Sequence, residues 1–143
     1  IFGLLLFFAD RSMIKKKLNS SLNYKSILIV GLFQVLAIIP GVSRSGIVIT
    51  ASRFLSFDRV DSSKIAFYLS IPALAGASFL GIKNVLETNI NFNLIFLFSI
   101  IFSFFISFLT IKYFLIYVKK FDLKFFVYYR IFLALILFVI IYS

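Results

Sequence analysis

The sequence predicts an all-α, polytopic integral membrane protein made of transmembrane helices and one re-entrant helical hairpin. Three observations carry this. Of 143 residues, 62% are hydrophobic and 14% are charged, against roughly 25% charged in a soluble domain. The apolar stretches 65–82, 94–118 and 125–142 are each long enough, as helices, to cross a hydrocarbon core of about 30 Å. The 15 Lys and Arg, against 5 Asp and Glu, gather mainly between the apolar stretches, where basic residues orient helices in a bilayer. A soluble globular enzyme, a disordered tail and a disulfide scaffold are excluded. No nucleic-acid partner is expected, because no long basic or aromatic-basic stretch lies outside the apolar segments.

Residues 1–9 are apolar but would span only about 13 Å as a helix, so they read as the end of a truncated span in a chain whose upstream part is missing. Residues 10–25 are polar and basic and read as a loop. Residues 27–39 are apolar except for Gly31 and Gln34, and too few to span. Pro40-Gly41 stops them. The run Gly41-Val42-Ser43-Arg44-Ser45-Gly46 follows, and residues 47–55 are mostly apolar again. Two half-length helices around a polar, glycine-bearing turn make a re-entrant hairpin over 27–55. A single long, broken spanning helix is the alternative.

Residues 56–64 form a charged loop. The span 65–82 carries Pro72, which is expected to kink it, and Ala73, Ala77 and Gly81, spaced for close helix packing. Residues 83–93 are a polar loop. The span 94–118 places Ser99, Ser103, Ser107 and Thr110 near one face, as groups that bond back to their own helix. Lys119, Lys120, Asp122 and Lys124 make a tight basic turn before the last span, 125–142. Arg130, beside Tyr128 and Tyr129, reads as a snorkelling interfacial anchor.

If the hairpin enters and leaves on one side, three loops share that side. They hold Arg11, Lys15, Lys16, Lys17 and Lys25, then Arg59 and Lys64, then Lys119, Lys120 and Lys124. The opposite loop holds only Lys83 and Glu87 as charges. This asymmetry puts the three basic loops in the cytoplasm and the C-terminus outside.

One segment carries chemistry. Within the hairpin, Arg44 sits at membrane depth, where an arginine costs at least about 2.5–3.5 kcal/mol on insertion scales and needs a partner or a wet cavity. Gly41 and Gly46 let the backbone approach a ligand. Ser43 and Ser45 add hydroxyls, and the turn opens the second half-helix, whose free N–H groups and positive dipole end face the same place. Guanidinium, amides and hydroxyls together favour an oxyanion, and a phosphate fits best. The alternative is an arginine that pairs with an acid of a neighbouring helix and locks the hairpin. The G-x4-G spacing is not a P-loop, since Ile47-Val48 stands where Lys-Ser or Lys-Thr is required. With no cysteine and no histidine, this chain holds no thiol nucleophile and no Ser-His-Asp triad.

Pro40-Gly41-Val42-Ser43-Arg44-Ser45-Gly46, preceded by Phe33-Gln34, resembles the second signature, PGxSRSxxT, of bacterial undecaprenyl-diphosphatases of the bacitracin-resistance type. Residues 24–49, Phe67–Ala77 around Pro72, Ile111-Lys112 and Tyr129-Arg130-Ile131-Phe132 are also similar to that family's C-terminal half. The threonine that ends the family motif falls on Val48; Thr50 comes two positions later.

The resemblance implies the second half of an inverted repeat, in a multi-pass protein of the bacterial plasma membrane. It implies removal of one phosphate from undecaprenyl diphosphate, recycling the lipid carrier of cell-wall synthesis. Arg44, with Ser43 and Ser45, would be catalytic. Gly41, Gly46 and Thr50 would bind substrate phosphate, and Gln34 would support them from behind. The family's glutamates, serine and histidine of its first signature are not in this chain. A divalent cation, Mg2+ or Ca2+, is therefore expected to take its ligands from a missing N-terminal half, with no metal site here. The expected partners are a polyprenyl diphosphate lipid, the bilayer, that N-terminal half and a second copy in a homodimer. On its own, the fragment is expected to be inactive. A transporter or flippase of an anionic lipid is the rival reading, and a non-catalytic membrane subunit is a third.

Overall fold

The computed structural model describes residues 2–18, 23–87 and 94–142. The helices are α1 (Phe2–Asp10), α2 (Tyr24–Val35), α3 (Arg44–Phe54), α4 (Arg59–Glu87), α5 (Leu94–Lys120) and α6 (Lys124–Tyr142), with a 3-10 turn over Leu36–Ile38 between α2 and α3. The helices extend past two of the predicted loops. Residues 59–64 are the first turn and a half of α4, and 83–87 its last, because neither stretch contains a glycine or proline to stop a helix. The rest of the predicted 83–93 loop, and 19–22 of the first loop, lie outside the described residues. Pro72 lies within α4, which continues on both sides of it.

Residues 27–55 form a hairpin rather than one long helix. Asn23 caps α2, its side chain accepting the Ser26 N–H at 2.9 Å, and α2 leads up to the Pro40-Gly41 turn. α3 comes back beside it. Both open ends are tied at the same place. The Lys15 and Lys16 amides donate to the Ser56 carbonyl at 3.0 and 3.1 Å, and the Leu18 amide donates to Asp61 at 3.0 Å. The strand-like pairing of Lys16 with Phe57 thus holds the stretch before α2 against the stretch after α3.

α3 is the centre of the fold. Every residue from Ile47 to Arg53 is buried. Leu6 of α1, Val30 of α2, Ala66 of α4, Val118 of α5, Leu123 of the following turn and Val127 of α6 complete the apolar core with it. A short helix buried all round needs no amphipathic stripe, which is why Ile47, Val48 and Ile49 can follow one another. The outer halves of α4, α5 and α6 behave oppositely: Phe79, Leu80, Ile95, Phe102 and Phe138 are among many large apolar side chains left exposed. The Ala73–Ala77–Gly81 face is uncovered too; a Cβ at Gly81 would meet nothing within 4 Å. Two helices, Arg59–Lys83 and Leu94–Lys120, are long and apolar enough to cross a membrane. Hydrocarbon, unlike water, imposes no penalty on such faces. The chain is an all-α membrane protein.

Candidate anion site at the start of helix α3

The loop before α3 is shaped by one glycine and one serine. Gly41 has φ +85°, a left-handed conformation that L side chains rarely adopt. Ser43 is extended and caps the helix, its hydroxyl accepting the Gly46 N–H at 3.2 Å. The Ser43 and Ser45 hydroxyl oxygens lie 3.3 Å apart. This leaves the Arg44 and Ser45 amides without partners among the described residues, so two N–H donors and the positive end of the helix dipole point outward. The Gly46 amide, expected from the sequence to hold phosphate, is already used by the cap.

Arg44 is exposed, and no acid among the described residues pairs with it. The locking role considered for it therefore has no partner among the described residues. Arg44 opens onto two clefts. One, of about 480 Å³, lies along α2 and α4 and includes Gln34, Leu69 and Pro72. The Gln34 side-chain oxygen is buried there and accepts no hydrogen bond, so this acceptor is idle within hydrogen-bonding country that a ligand or another part of the protein can fill. The second cleft, of about 560 Å³, runs between α4 and α5 and includes Ser45, Ser70 and Ser107.

Arg130 is where the structure departs most from the sequence reading. It lies in the second turn of α6, half-buried, and it faces the motif: its Nη1 is 3.6 Å from the position a Cβ on Gly46 would take. It lines a chamber of about 130 Å³ with Ser43, Ser45 and Gly46. No acid among the described residues pairs with it. The anchor reading failed because α6 folds back along α1, which brings the start of the last span against α3. The available signal was a lone arginine six residues into an otherwise apolar 19-residue helix.

Thr50 leaves the expected set. It is 1% exposed, and its hydroxyl donates to the Gly46 carbonyl at 2.7 Å. One helical turn below the loop, it braces Gly46 from behind and has no free hydroxyl to offer. Val48 is equally buried. At that position the helix faces the core, so an apolar side chain is the one that packs.

At the other end of α3 lies a charge cluster that sequence reasoning missed. Arg53, 2% exposed, donates to the Phe57 and Asp10 carbonyls at 2.7 Å each and to the Ser12 carbonyl at 3.0 Å. Asp10 lies 3.5 Å from its Nε and accepts a two-pronged contact from Arg59, at 2.7 and 3.0 Å. Arg59 also reaches Asp122 in the α5–α6 turn. The Asp122 carboxyl is held below its ordinary range, first by the hydrogen bond from Lys124 and then by the charge of Arg59. Only Asp10, an acid closing an otherwise apolar stretch, hinted at this cluster.

Among the described residues no group of three acids or histidines could hold a metal ion. Asp10, the most buried acid, is occupied by two arginines at the far end of α3 from Arg44. The described residues do not form a metal site.

Fold and site together define a class: an all-α membrane protein with a serine-capped helix start set among its helices, beside two arginines that meet no acid among the described residues. The chain belongs to the bacitracin resistance protein BacA family, whose model matches residues 1–136. It is 54% identical over 143 residues to an undecaprenyl-diphosphatase of Pelagibacter ubique, covering 100% of this chain and 56% of the relative. It is 44% identical to an undecaprenyl-diphosphatase of Elusimicrobium minutum, covering 96% of this chain and 52% of the relative. A third, from Thermodesulfovibrio yellowstonii, is 36% identical, with 96% and 53% covered. The chain spans about half the length of the curated relatives it matches.

Proposed function

We propose that this chain supplies the phosphate-holding half of an undecaprenyl-diphosphatase. The whole protein would hydrolyse undecaprenyl diphosphate with water to undecaprenyl phosphate and inorganic phosphate. The observation that carries this is the pair Arg44 and Arg130, neither paired with an acid among the described residues, beside a helix start that presents two free amides and the Ser43 and Ser45 hydroxyls. Phosphoryl transfer is mostly positioning and charge stabilisation. The planar fork of Arg44 suits two oxygens of one phosphate. Arg130, facing Gly46 from α6, adds a second positive charge, and the serines orient what the guanidiniums attract. Gly41 and Gly46 give the backbone its approach. Gln34 sits one layer out, beside Arg44. The relatives that share the chain's sequence are named for this reaction, and that name supports the substrate class.

The nucleophile and its base are not among these residues. A divalent cation, Mg2+ or Ca2+, enters the proposal only through carboxylates contributed by the rest of the protein. The hairpin would be re-entrant in a multi-pass plasma-membrane protein, with the three basic loops in the cytoplasm. α3, at 11 residues, is about 16 Å long, which carries Arg44 from the charge cluster to roughly the middle of a ~30 Å core.

The test is phosphate release from undecaprenyl diphosphate by the full-length protein in detergent or nanodiscs, beside the 143-residue chain alone. The full-length protein is expected to turn over and the chain alone to release none. Release by the chain alone would put the missing groups within it. No release by the full-length protein, with export of an anionic lipid in vesicles instead, would favour the transporter reading.

A further inference from the structure

The diphosphate is only the head of this substrate; its polyprenyl chain stays in the bilayer, because its hydrocarbon is held there. A site near mid-depth must therefore open sideways between two helices. We propose that the chain leaves through the cleft between α5 and α6. This rests on the phosphatase reading above and adds the place of the lipid chain to it.

Three observations select this cleft. α5 and α6 follow one another in sequence yet barely pack together beyond their turn, leaving a cleft of about 560 Å³ that includes Leu109, Tyr113 and Phe125. The cleft shares a wall with the chamber that holds Ser43, Ser45, Gly46 and Arg130. That wall is Phe114 and Phe126, which line both spaces and meet edge to face with ring centroids 5.8 Å apart. A head group at Arg130 thus has its apolar exit immediately behind two aromatic rings. Finally, the lining holds no charged side chain. The hydroxyl of Thr110, which also borders it, is already donated to the Ile106 carbonyl at 2.7 Å. The two clefts beside Arg44 differ on this point: both include the Arg44 side chain, and one adds the idle Gln34 oxygen. Those surfaces ask for polar partners, which a hydrocarbon chain cannot be.

The chain is amphiphilic in the same order as the molecule: charge at Arg130, aromatic rings at Phe114 and Phe126, aliphatic and tyrosine surface outside. Aromatic faces accept the flat, unsaturated isoprene units of such a lipid as well as any core residue would.

The experiment uses the full-length protein in nanodiscs and a polyprenyl diphosphate with a diazirine on its second isoprene unit. Irradiation is expected to label Leu109, Tyr113 or Phe125, and unlabelled polyprenyl diphosphate to compete the label away. Label on Leu69, Leu74 or Ala37 with α5 and α6 clean overturns the assignment, as does label on the cleft that the diphosphate fails to compete. A second arm fills the cleft with Leu109→Trp. Its kcat/KM should fall about tenfold for the long-chain diphosphate and stay within twofold for a five-carbon diphosphate. Equal loss on both substrates, or no loss on either, also overturns it. Labelling needs no turnover, so a wild-type protein that releases no phosphate would refute the phosphatase reading and leave the position of the lipid chain to be read from the adducts.

Discussion

The two ends of α3 each present an arginine, and the two are treated in opposite ways. At the C-terminal end Arg53 is buried, and three carbonyl oxygens and the Asp10 carboxylate surround it. At the N-terminal end Arg44 is exposed and meets no acid within the described chain. Arg59 and Arg130 repeat the contrast, the first forked onto Asp10 and the second facing Gly46 without an acid. A guanidinium has five donors. Where the fold engages several of them, the charge fastens elements together; where it leaves them free beside open amides, the charge is available to a ligand. One helix of eleven residues holds both a joint and a socket.

The largest effects should separate along that line. In the full-length protein, Arg44→Ala should lower kcat/KM by about 10²–10⁴-fold, the scale of ~3–5 kcal/mol of transition-state stabilisation. Its thermal midpoint should stay near that of the wild type. Arg44→Lys should recover only part of the activity, since a point charge cannot form the fork. Arg53→Ala should do the reverse. It leaves Asp10 with Arg59 alone and removes three hydrogen bonds, two of them fully buried, and breaking a buried pair costs up to about 3–5 kcal/mol. Loss of folded protein on thermal or denaturant unfolding is the readout. An Arg53→Ala protein of normal stability, or an Arg44→Ala protein that unfolds early, would erase the distinction between the two ends.

Half of this contrast was legible in the sequence. The turn was, because Pro-Gly, a capping serine and an arginine amid apolar residues are local signals, each with a local cause. The hairpin was as well, since 27–39 is too short to span and Pro40-Gly41 breaks it from the helix that follows. The cluster around Arg53 and Arg59 was not, because its partners come from Asp10, Ser12, Phe57 and Asp122, and no periodicity links positions 43 or 63 residues apart. Arg130 was misread for the same reason: its neighbour Gly46 is 84 residues away in the chain. Thr50 was misassigned by counting positions along a motif. On a helix, two positions is more than half a turn, and that rotation puts its hydroxyl on the Gly46 carbonyl rather than in the open.

A smaller effect tests the loop that holds the socket open. Gly41 has φ +85° but open space around it, so that nothing within 4 Å would meet a Cβ. The cost of Gly41→Ala is then backbone strain alone, about 1–2 kcal/mol. If the loop relaxes to relieve it, Ser43 loses its capping geometry and the amides of Arg44 and Ser45 turn away. Activity should fall several-fold with a modest drop in stability. Gly46→Ala acts through space instead, since its Cβ would lie 3.2 Å from Ser43 and 3.6 Å from Arg130. It should displace the arginine without straining φ. If Gly41→Ala is silent in both readouts, the shape of the turn does not matter to the socket.

The smallest effect lies at the outer edge of the joint. Asp122, 43% exposed, sits between Arg59 and Lys124, and both hold its carboxyl below the ordinary value in the folded state. A depressed carboxyl contributes its stability above the unfolded value, about 3.9, and loses it as pH falls through the folded one. Wild type should therefore exceed Asp122→Asn slightly at pH 7, and the two should converge as pH drops below the unfolded value. Because the pair is exposed, added salt should narrow the gap at pH 7 as well. Thermal midpoints of both proteins at pH 7 and pH 3, in low and high salt, give the comparison. A gap as large at pH 3 as at pH 7 would mean that Asp122 acts through packing or its neutral hydrogen bonds. The ionic character of the joint would then reside wholly in Asp10, whose two arginines no solvent ion can replace.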